Sequence, residues 1–299
     1  MAMKTITILT PTYNRRNYLG KLYESLCGQT CMDFCWLVVD DGSTDGTVGQ
    51  VQGWMQESKV EIGLLSKPNG GKHTALNMGI GQVRTELTFI VDSDDYLPKE
   101  AVRTILECHR KYRGQKDRLR LCGYSFLRCY SNGEVNTAYF RKEEEVATYL
   151  QVRINGNIGG DKAEAFYTDI LKKYPFPEIA GEKFLAEDVV WMRMSGPYQM
   201  VHINQCVYIC DYLEEGLTKT GRRMKIHSPK GMMLRSQVYL EHRRVCLKVR
   251  IKMMLLYIIY GKFDGNAFHK LFRSVGRGRF LFLLAYLPAS LIYEKWKRE

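Results

Sequence analysis

Proline and long apolar runs are both scarce in this sequence. Only 8 of the 299 residues are proline, which argues against a proline-rich disordered or fibrous chain. The apolar run at residues 280–293 has fourteen residues and contains a proline, whereas roughly 20 apolar residues are needed to cross a bilayer. The apolar run at the N-terminus is also too short for a signal peptide. We therefore expect a globular protein of the cytoplasm.

Closely paired cysteines are missing as well. The chain has 9 cysteines, an odd count without the short paired spacings of a zinc ribbon. Cys27, Cys31 and Cys35 stand four residues apart, which does not match the spacings of iron–sulfur proteins. We expect buried thiols in a reducing compartment.

Basic residues are few in the first part of the chain and abundant in the last. Residues 1–218 hold 25 basic and 28 acidic side chains, whereas residues 219–299 hold 19 basic and 4 acidic ones. We predict a folded domain over 1–218 and a basic helical extension over 219–299, where a polyanionic surface would bind. The basic residues flank apolar runs and are not interleaved with aromatic ones, so we expect no nucleic-acid partner.

Strand and helix patterns alternate through the first third of the chain. Four β-branched runs are predicted strands, each followed by a helical pattern: residues 5–9, 36–39, 60–65 and 87–91. Such alternation predicts an α/β fold, with a mainly parallel sheet covered by helices on both faces. Ligands of these sheets bind at the carboxyl ends of the strands.

The rest of the chain is predicted to complete the same sheet and then to become helical. Strands are expected at 119–130 and 135–140, joined as a hairpin through Ser131, Asn132 and Gly133. A short helix is expected at 165–168, a strand at 205–212, and helices at 232–252 and 280–293.

Acidic residues follow two of the predicted strands directly. Asp92-Ser93-Asp94-Asp95 follows the fourth strand, and Asp40-Asp41 follows the second. Adjacent carboxylates repel one another, so the first cluster predicts a bound Mg²⁺ or Mn²⁺ whose shell phosphate oxygens complete. An alternative is an acidic turn that caps the next helix. The Asp40-Asp41 pair could accept hydrogen bonds from a base or a ribose.

Four motifs, each after its own strand, carry a family resemblance. They are TPTYNR at 10–15, VVDDGSTD at 38–45, NGGKHTALNMG at 69–79 and DSDD at 92–95. In this order the motifs resemble those of family 2 glycosyltransferases of the GT-A fold, including enzymes of bacterial capsule, O-antigen and exopolysaccharide synthesis. The resemblance covers roughly residues 4–218. It implies a Rossmann-like nucleotide-diphospho-sugar domain followed by the helical extension.

The resemblance also implies roles for individual residues of the donor site. Pro11 and Tyr13 would form the base-binding edge, and either Asp40 or Asp41 would contact the uracil or the ribose. The remaining implied donor residues are Lys72 and Asn77 along the nucleotide and sugar, and the D-x-D pair Asp92 and Asp94 for the ribose and the metal.

An acidic pair later in the chain, Glu187-Asp188, matches the pair that opens a helix in this family. The resemblance implies that one of the two carboxylates deprotonates the acceptor hydroxyl, with Asp188 preferred and Glu187 second. A single carboxylate base and direct displacement predict inversion at the anomeric carbon. The implied donor is a UDP-sugar, and the implied acceptor is a saccharide or a polyprenyl-diphosphate-linked saccharide.

Two further expectations concern the basic end of the chain. Lys219, Arg222 and Arg223 could close over the diphosphate as a lid, although a solvated loop or a lipid-headgroup contact would explain these charges equally. The run at 280–293 resembles an interfacial helix on an anionic leaflet, here the inner face of the plasma membrane, or else packs on the domain. A non-catalytic nucleotide-sugar-binding scaffold remains an alternative, but it predicts a missing carboxylate and both Asp94 and Asp188 are present.

Overall fold

The computed structural model describes residues 4–136, 138–210 and 217–298, with the backbone alone at 217–220 and 277. The strands are β1 Ile6–Thr12, β2 Phe34–Asp40, β3 Ile62–Ser66, β4 Leu87–Ile90, β5 Leu121–Cys129, β6 Glu144–Ala147, β7 Ala163–Tyr167 and β8 Gln199–Ile209. The helices of the first two thirds are α1 Arg16–Cys27, α2 Thr47–Glu57, α3 Lys72–Gln82, α4 Ala101–Tyr112, α5 Lys116–Leu119, α6 Thr168–Leu171 and α7 Asp188–Met194. Those of the last third are α8 Leu217–Ile226, α9 Pro229–Glu241, α10 Leu247–Phe263, α11 Phe268–Ser274 and α12 Arg279–Arg298.

All eight strands belong to one sheet, in the order β3-β2-β1-β4-β7-β5-β8-β6. Strands β1 to β4 are mutually parallel, β7 runs antiparallel between β4 and β5, and β8 pairs parallel with β5. Every residue of β1 is buried, as expected for a strand covered by helices on both faces. The predicted α/β architecture is therefore confirmed.

Three local predictions in the second half of the chain were wrong. The described residues of the range 135–140, namely 135–136 and 138–140, form no strand and only one bridge, from Val135 to Cys129. Residues 165–167 belong to strand β7 and not to a short helix, because β7 fills the gap between β4 and β5. The single helix expected at 232–252 is divided between α9 and α10.

The cysteines also differ in part from the expectation of free thiols. Cys27, Cys31 and Cys35 are free and half-buried. Cys129 and Cys206 form a disulfide between the paired strands β5 and β8, where their Cα atoms lie 6.1 Å apart. Strand pairing thus joins two cysteines that are 77 residues apart in the sequence.

The C-terminal helices pack against the sheet domain and against one another. Tyr239, Val245 and Met253 belong to the main hydrophobic core. A second core between α10, α11 and α12 includes Tyr257 and Phe282. Within the described part of the chain, no helix combines the length and the apolar character needed to cross a membrane.

Candidate active site

The carboxyl ends of β1, β2 and β4 lie side by side at one edge of the sheet. Pro11 is buried in β1 opposite Val39 of β2, while the ring of Tyr13 is 47% exposed just beyond the end of β1. Asp40, the last residue of β2, is buried at the same edge. The exposed aromatic ring can stack on a nucleotide base, and the carboxylate can accept a hydrogen bond from an N–H group of that base.

The two carboxylates of the Asp40-Asp41 pair have different surroundings. Asp40 accepts hydrogen bonds from the backbone N–H groups of Gly42 and Ser43, at 3.1 to 3.3 Å. Each oxygen of Asp41 accepts two hydrogen bonds from the segment 67–71, and these four bonds are shorter, at 2.7 to 2.9 Å. Asp41 therefore holds the loop before α3 in place, and Asp40 keeps more capacity to accept a bond from a ligand.

Lys72, the first residue of α3, joins two of the predicted motifs. Its ammonium group forms a salt bridge with Asp92 after β4 and another with Glu187, where the Nζ to Oε1 distance is 2.6 Å. Burial alone would lower the pKa of Lys72, but the carboxylates of Asp92 and Glu187 raise it above its ordinary value. The donor motif and the late acidic pair therefore meet at one cation.

Asn77, the other predicted donor residue of α3, is occupied by protein contacts. Its side-chain amide bonds both backbone groups of Phe176 at 2.8 Å, and it also donates to Glu178. These contacts tie α3 to the segment around residue 176. A contact between Asn77 and a donor sugar stays a prediction.

Asp92 is surrounded by cationic and phenolic side chains. Its second oxygen lies 3.6 Å from Arg128 Nη1, and its backbone N–H donates to the Tyr208 hydroxyl at 2.9 Å. Burial favours the neutral acid, but Lys72 and Arg128 bring the pKa of Asp92 to about 2. The carboxylate is thus ionised at neutral pH.

Tyr208 and Arg128 are site residues that the sequence analysis missed. The Tyr208 hydroxyl donates to Asp95 at 2.8 Å, and the Arg128 guanidinium lies 4.0 Å from the centre of the Tyr208 ring. Burial and the charge of Asp92 raise the pKa of Asp95 to about 7. Both residues come from β5 and β8, far along the chain from the D-x-D motif, and no local pattern marks them.

Asp94 is the member of the D-x-D pair that is most open to a metal ion. Its side chain is 29% exposed, and its nearest cation is Arg15, at 3.9 Å. Each oxygen of Asp92 already pairs with one cation, Lys72 or Arg128, and the described residues form no cluster of three or more metal-binding side chains. A partly exposed carboxylate such as that of Asp94 could hold a divalent ion whose shell is completed by phosphate and water oxygens.

The neighbours Glu187 and Asp188 face different partners. Glu187 contacts Lys72 as described, whereas Asp188, the first residue of α7, contacts α9. Arg235 Nε lies 2.8 Å from both oxygens of Asp188, and the Tyr239 hydroxyl donates to Oδ2 at 2.7 Å. Although burial opposes ionisation, Arg235 and Tyr239 lower the pKa of Asp188 below its usual range. Arg235 and Tyr239 were not predicted from the sequence.

The residues predicted as a lid lie on a helix and not on a loop. Lys219, Arg222 and Arg223 fall within α8, and the side chain of Lys219 lies outside the described part of the structure. Arg222 and Arg223 are exposed, and the Arg222 guanidinium lies 5.1 Å from the centre of the Trp296 ring in α12. Helix α8 is thus in contact with the last helix.

A mainly parallel sheet with these acidic motifs at its carboxyl edge defines the GT-A class of nucleotide-diphospho-sugar-binding folds. Residues 7–115 match the model of the family described as glycosyl transferase family 2. This part of the chain is therefore similar to family 2 glycosyltransferases.

Curated relatives match between about a third and two fifths of the chain. The chain is 32% identical over 120 residues to chondroitin synthase of Pasteurella multocida, covering 40% of this chain and 12% of that protein. It is 33% identical over 103 residues to the poly(ribitol-phosphate) beta-N-acetylglucosaminyltransferase TarS of Staphylococcus aureus, covering 34% of this chain and 18% of the relative. The chain thus matches less than a fifth of the length of these two relatives.

Solved structures resemble the fold over almost the whole chain. Residues 1–349 of Staphylococcus aureus TarS, solved in complex with UDP, align with a TM-score of 0.62 and 19% identity over 98% of this chain and 92% of that one. The mannosyltransferase PcManGT of Pyrobaculum calidifontis, solved with GDP-Man and Mn²⁺, aligns with a TM-score of 0.59 and 16% identity over 98% and 82%. These similarities confirm the GT-A fold.

Proposed function

We propose that this protein is an inverting glycosyltransferase that moves a sugar from a UDP-sugar to a saccharide or a lipid-linked saccharide. The observation that carries the proposal is the position of Lys72, which contacts both Asp92 of the donor motif and Glu187 of the late acidic pair. The donor motif and the acidic pair that contains the proposed base therefore lie close together, and direct displacement at an anomeric carbon requires donor and acceptor groups to be near each other.

Different residues near Lys72 have different roles in that displacement. Tyr13 and Asp40 bind the base, and Asp92 binds the ribose. Asp188 accepts the proton of the acceptor hydroxyl as the new glycosidic bond forms and the bond to the diphosphate breaks, with Glu187 as the second choice of base. One base and no covalent sugar–enzyme intermediate give inversion.

Asp94 would hold a divalent cation, Mn²⁺ or Mg²⁺, with the diphosphate oxygens of the donor. Bound there, the cation would stabilise the negative charge of the leaving diphosphate. Lys72 adds a second positive charge at the same edge of the sheet. The partly exposed and weakly paired carboxylate of Asp94 supports this role.

The choice of donor and pathway rests on similar proteins. TarS has been solved with UDP and with UDP-GlcNAc, and the curated relatives include a chondroitin synthase and a succinoglycan biosynthesis protein. We therefore place the activity in the synthesis of a cell-surface polysaccharide.

The C-terminal helices would attach the protein to an anionic membrane surface at the inner face of the plasma membrane. Helix α12 buries Phe282, Ala285 and Ala289 against the second core. Its opposite side exposes a row of large apolar side chains: Phe280, Leu283, Leu284, Leu287 and Leu291. Basic residues of its last turn lie beside this row. An apolar face with a basic border is typical of a helix that lies on anionic lipid.

Calorimetric titration of the full chain with UDP, with and without Mn²⁺, tests the proposal. We expect UDP to bind more tightly when Mn²⁺ is present. The change Asp94→Ala should lower the UDP affinity measured with Mn²⁺ by about tenfold or more, because the cation loses its protein ligand. Asp117→Ala is the matched control, since Asp117 is an exposed residue of α5. Preference for another nucleoside diphosphate would change the donor. Binding of no nucleotide would contradict the proposed function.

A further inference from the structure

Helix α9 supplies the partners of the carboxylate that we assign as the base. The side chains of Asp188 and Arg235 are 17% and 20% exposed. Oδ2 of Asp188 accepts bonds from Arg235 Nη2 and from the Tyr239 hydroxyl, and Arg235 Nε is shared between the two oxygens. Oδ1 therefore has fewer partners than Oδ2, which leaves it the oxygen better able to accept a proton.

We propose that Arg235 and Tyr239 are positioning residues of the transfer reaction, which makes helix α9 a part of the active site. This inference rests on the proposed function, since it assumes that Asp188 accepts the acceptor proton. A planar guanidinium that donates two bonds fixes the rotation of a carboxylate, as an ammonium group does not. Tyr239 holds the same oxygen from one turn further along α9.

Both ends of α9 are anchored to the sheet domain by other contacts. Glu182, in the segment before α7, accepts bonds from the backbone N–H groups of Lys230 and Gly231 at the start of α9, at 2.8 and 2.7 Å. Beyond its end, Asn155 bonds the backbone groups of Arg244 and Cys246. With its ends held, α9 presents Arg235 and Tyr239 to Asp188 in a fixed position.

The charged and titratable groups that face Asp188 determine how its ionisation responds to a change at Arg235. They are Arg235 and Tyr239 of α9, Lys225 of α8, and Tyr149 ahead of the π-helical turn Leu150–Asn155. Removing the Arg235 charge leaves a buried carboxylate with weaker compensation, so the pKa of Asp188 rises. A base must be deprotonated to act, and the acidic limb of the pH profile should therefore move to higher pH.

The test measures release of UDP from UDP-GlcNAc, with water as acceptor, as a function of pH. In Arg235→Gln we expect turnover to fall about 100-fold and the acidic limb to move up by about one pH unit, while UDP affinity by calorimetry stays within about threefold. In Arg235→Lys the acidic limb of the turnover profile should return to the wild-type pH, whereas the turnover rate should be restored only in part. The matched control is Arg193→Gln, a change at an exposed residue of α7, which should behave as the wild type.

The outcomes separate this inference from the proposed function. An acidic limb at the wild-type pH in Arg235→Gln, with any loss of rate, would overturn the positioning role. If the wild-type chain turns over no UDP-sugar, the proposed function fails. In that case ¹³C NMR of carboxyl-labelled aspartate measures the titration of Asp188 directly, with the Asp188 signal assigned by its loss in Asp188→Asn. A titration of Asp188 that is the same with and without Arg235 would overturn the pairing on which the inference rests, and a rise of its pKa by about one unit would support that pairing even though the proposed function had failed.

Discussion

At the scale of single residues, the adjacent carboxylates Glu187 and Asp188 contact different partners. Glu187 contacts Lys72 and, through it, the donor motif. Asp188 contacts Arg235 and Tyr239 of α9. Because a helix turns by about 100° per residue, two successive side chains at its start point to different surroundings. The pair is therefore two groups with separate tasks.

Substitution of each carboxylate by its amide separates these tasks. Asp188→Asn should keep UDP and metal binding within a few-fold and abolish transfer, because an amide cannot accept the acceptor proton. Glu187→Gln removes one partner of Lys72 and should lower turnover without abolishing it. Steady-state turnover with UDP-GlcNAc, together with calorimetry of UDP binding, measures both. Turnover that survives in Asp188→Asn and is lost in Glu187→Gln would make Glu187 the base.

Residues that lie next to one another in sequence were predictable, and their partners from distant segments were not. The D-x-D motif and the Glu187-Asp188 pair are visible because acidic residues follow a strand or open a helix. Arg128 and Arg235 carry no such local sign, since an isolated arginine on a strand or a helix is ordinarily a surface residue. Their roles depend on the packing of β5 and α9 against the site, which no local pattern specifies.

At the scale of elements, the start of α3 depends on a glycine with an unusual backbone conformation. Gly71 precedes Lys72, has φ of 98°, and donates its N–H to Asp41 at 2.7 Å. A Cβ atom at this position would lie 2.0 Å from the carbonyl oxygen of Lys183. The loop that sets the position of Lys72 thus has no room for a side chain and no φ value that suits one.

A pair of glycine substitutions at the two ends of α3 tests this dependence. Gly71→Ala should lower the free energy of unfolding by about 2 kcal/mol or more, through backbone strain and the contact with Lys183. Gly81→Ala is the matched control, because Gly81 is exposed in the same helix with nothing near its Cβ position. It should stabilise the protein by up to about 1 kcal/mol. Urea unfolding measures both, and equal effects of the two changes would refute the argument.

The elements that were wrongly predicted depend on contacts between distant segments. Strand β7 runs antiparallel between β4 and β5, and this placement overrides the weak local preference of residues 165–168 for a helix. The interruption between α9 and α10 lies in a segment without proline or glycine, where Asn155 bonds the backbone of Arg244 and Cys246. A strand with a strong local pattern such as β1 does not depend on such distant contacts for its prediction, and its position was predicted within three residues.

At the scale of the whole molecule, the positive charge and the exposed apolar surface lie in the same part of the chain. Residues 219–299 carry 19 basic and 4 acidic side chains, and five of the large exposed apolar side chains lie on α12. Helix α8 contacts α12 through Arg222 and Trp296, and α9 contacts the proposed base. A membrane bound by α12 would therefore lie near the elements that border the active site, which suits a lipid-linked acceptor.

Leu287→Glu tests the membrane surface without disturbing the core, because Leu287 is 69% exposed on α12. Truncating the chain before Gly261, so that residues 261–299 are lost, would instead remove buried residues such as Leu271 and Phe282. We expect Leu287→Glu to weaken cosedimentation with vesicles of phosphatidylglycerol, because a carboxylate replaces an apolar group at the lipid interface. Met55→Glu, which makes the same charge change at an exposed position of α2, should bind as the wild type does. Equal binding of both variants would mean that lipid does not contact this face of α12, and that attraction between the basic helices and the anionic vesicle accounts for the binding.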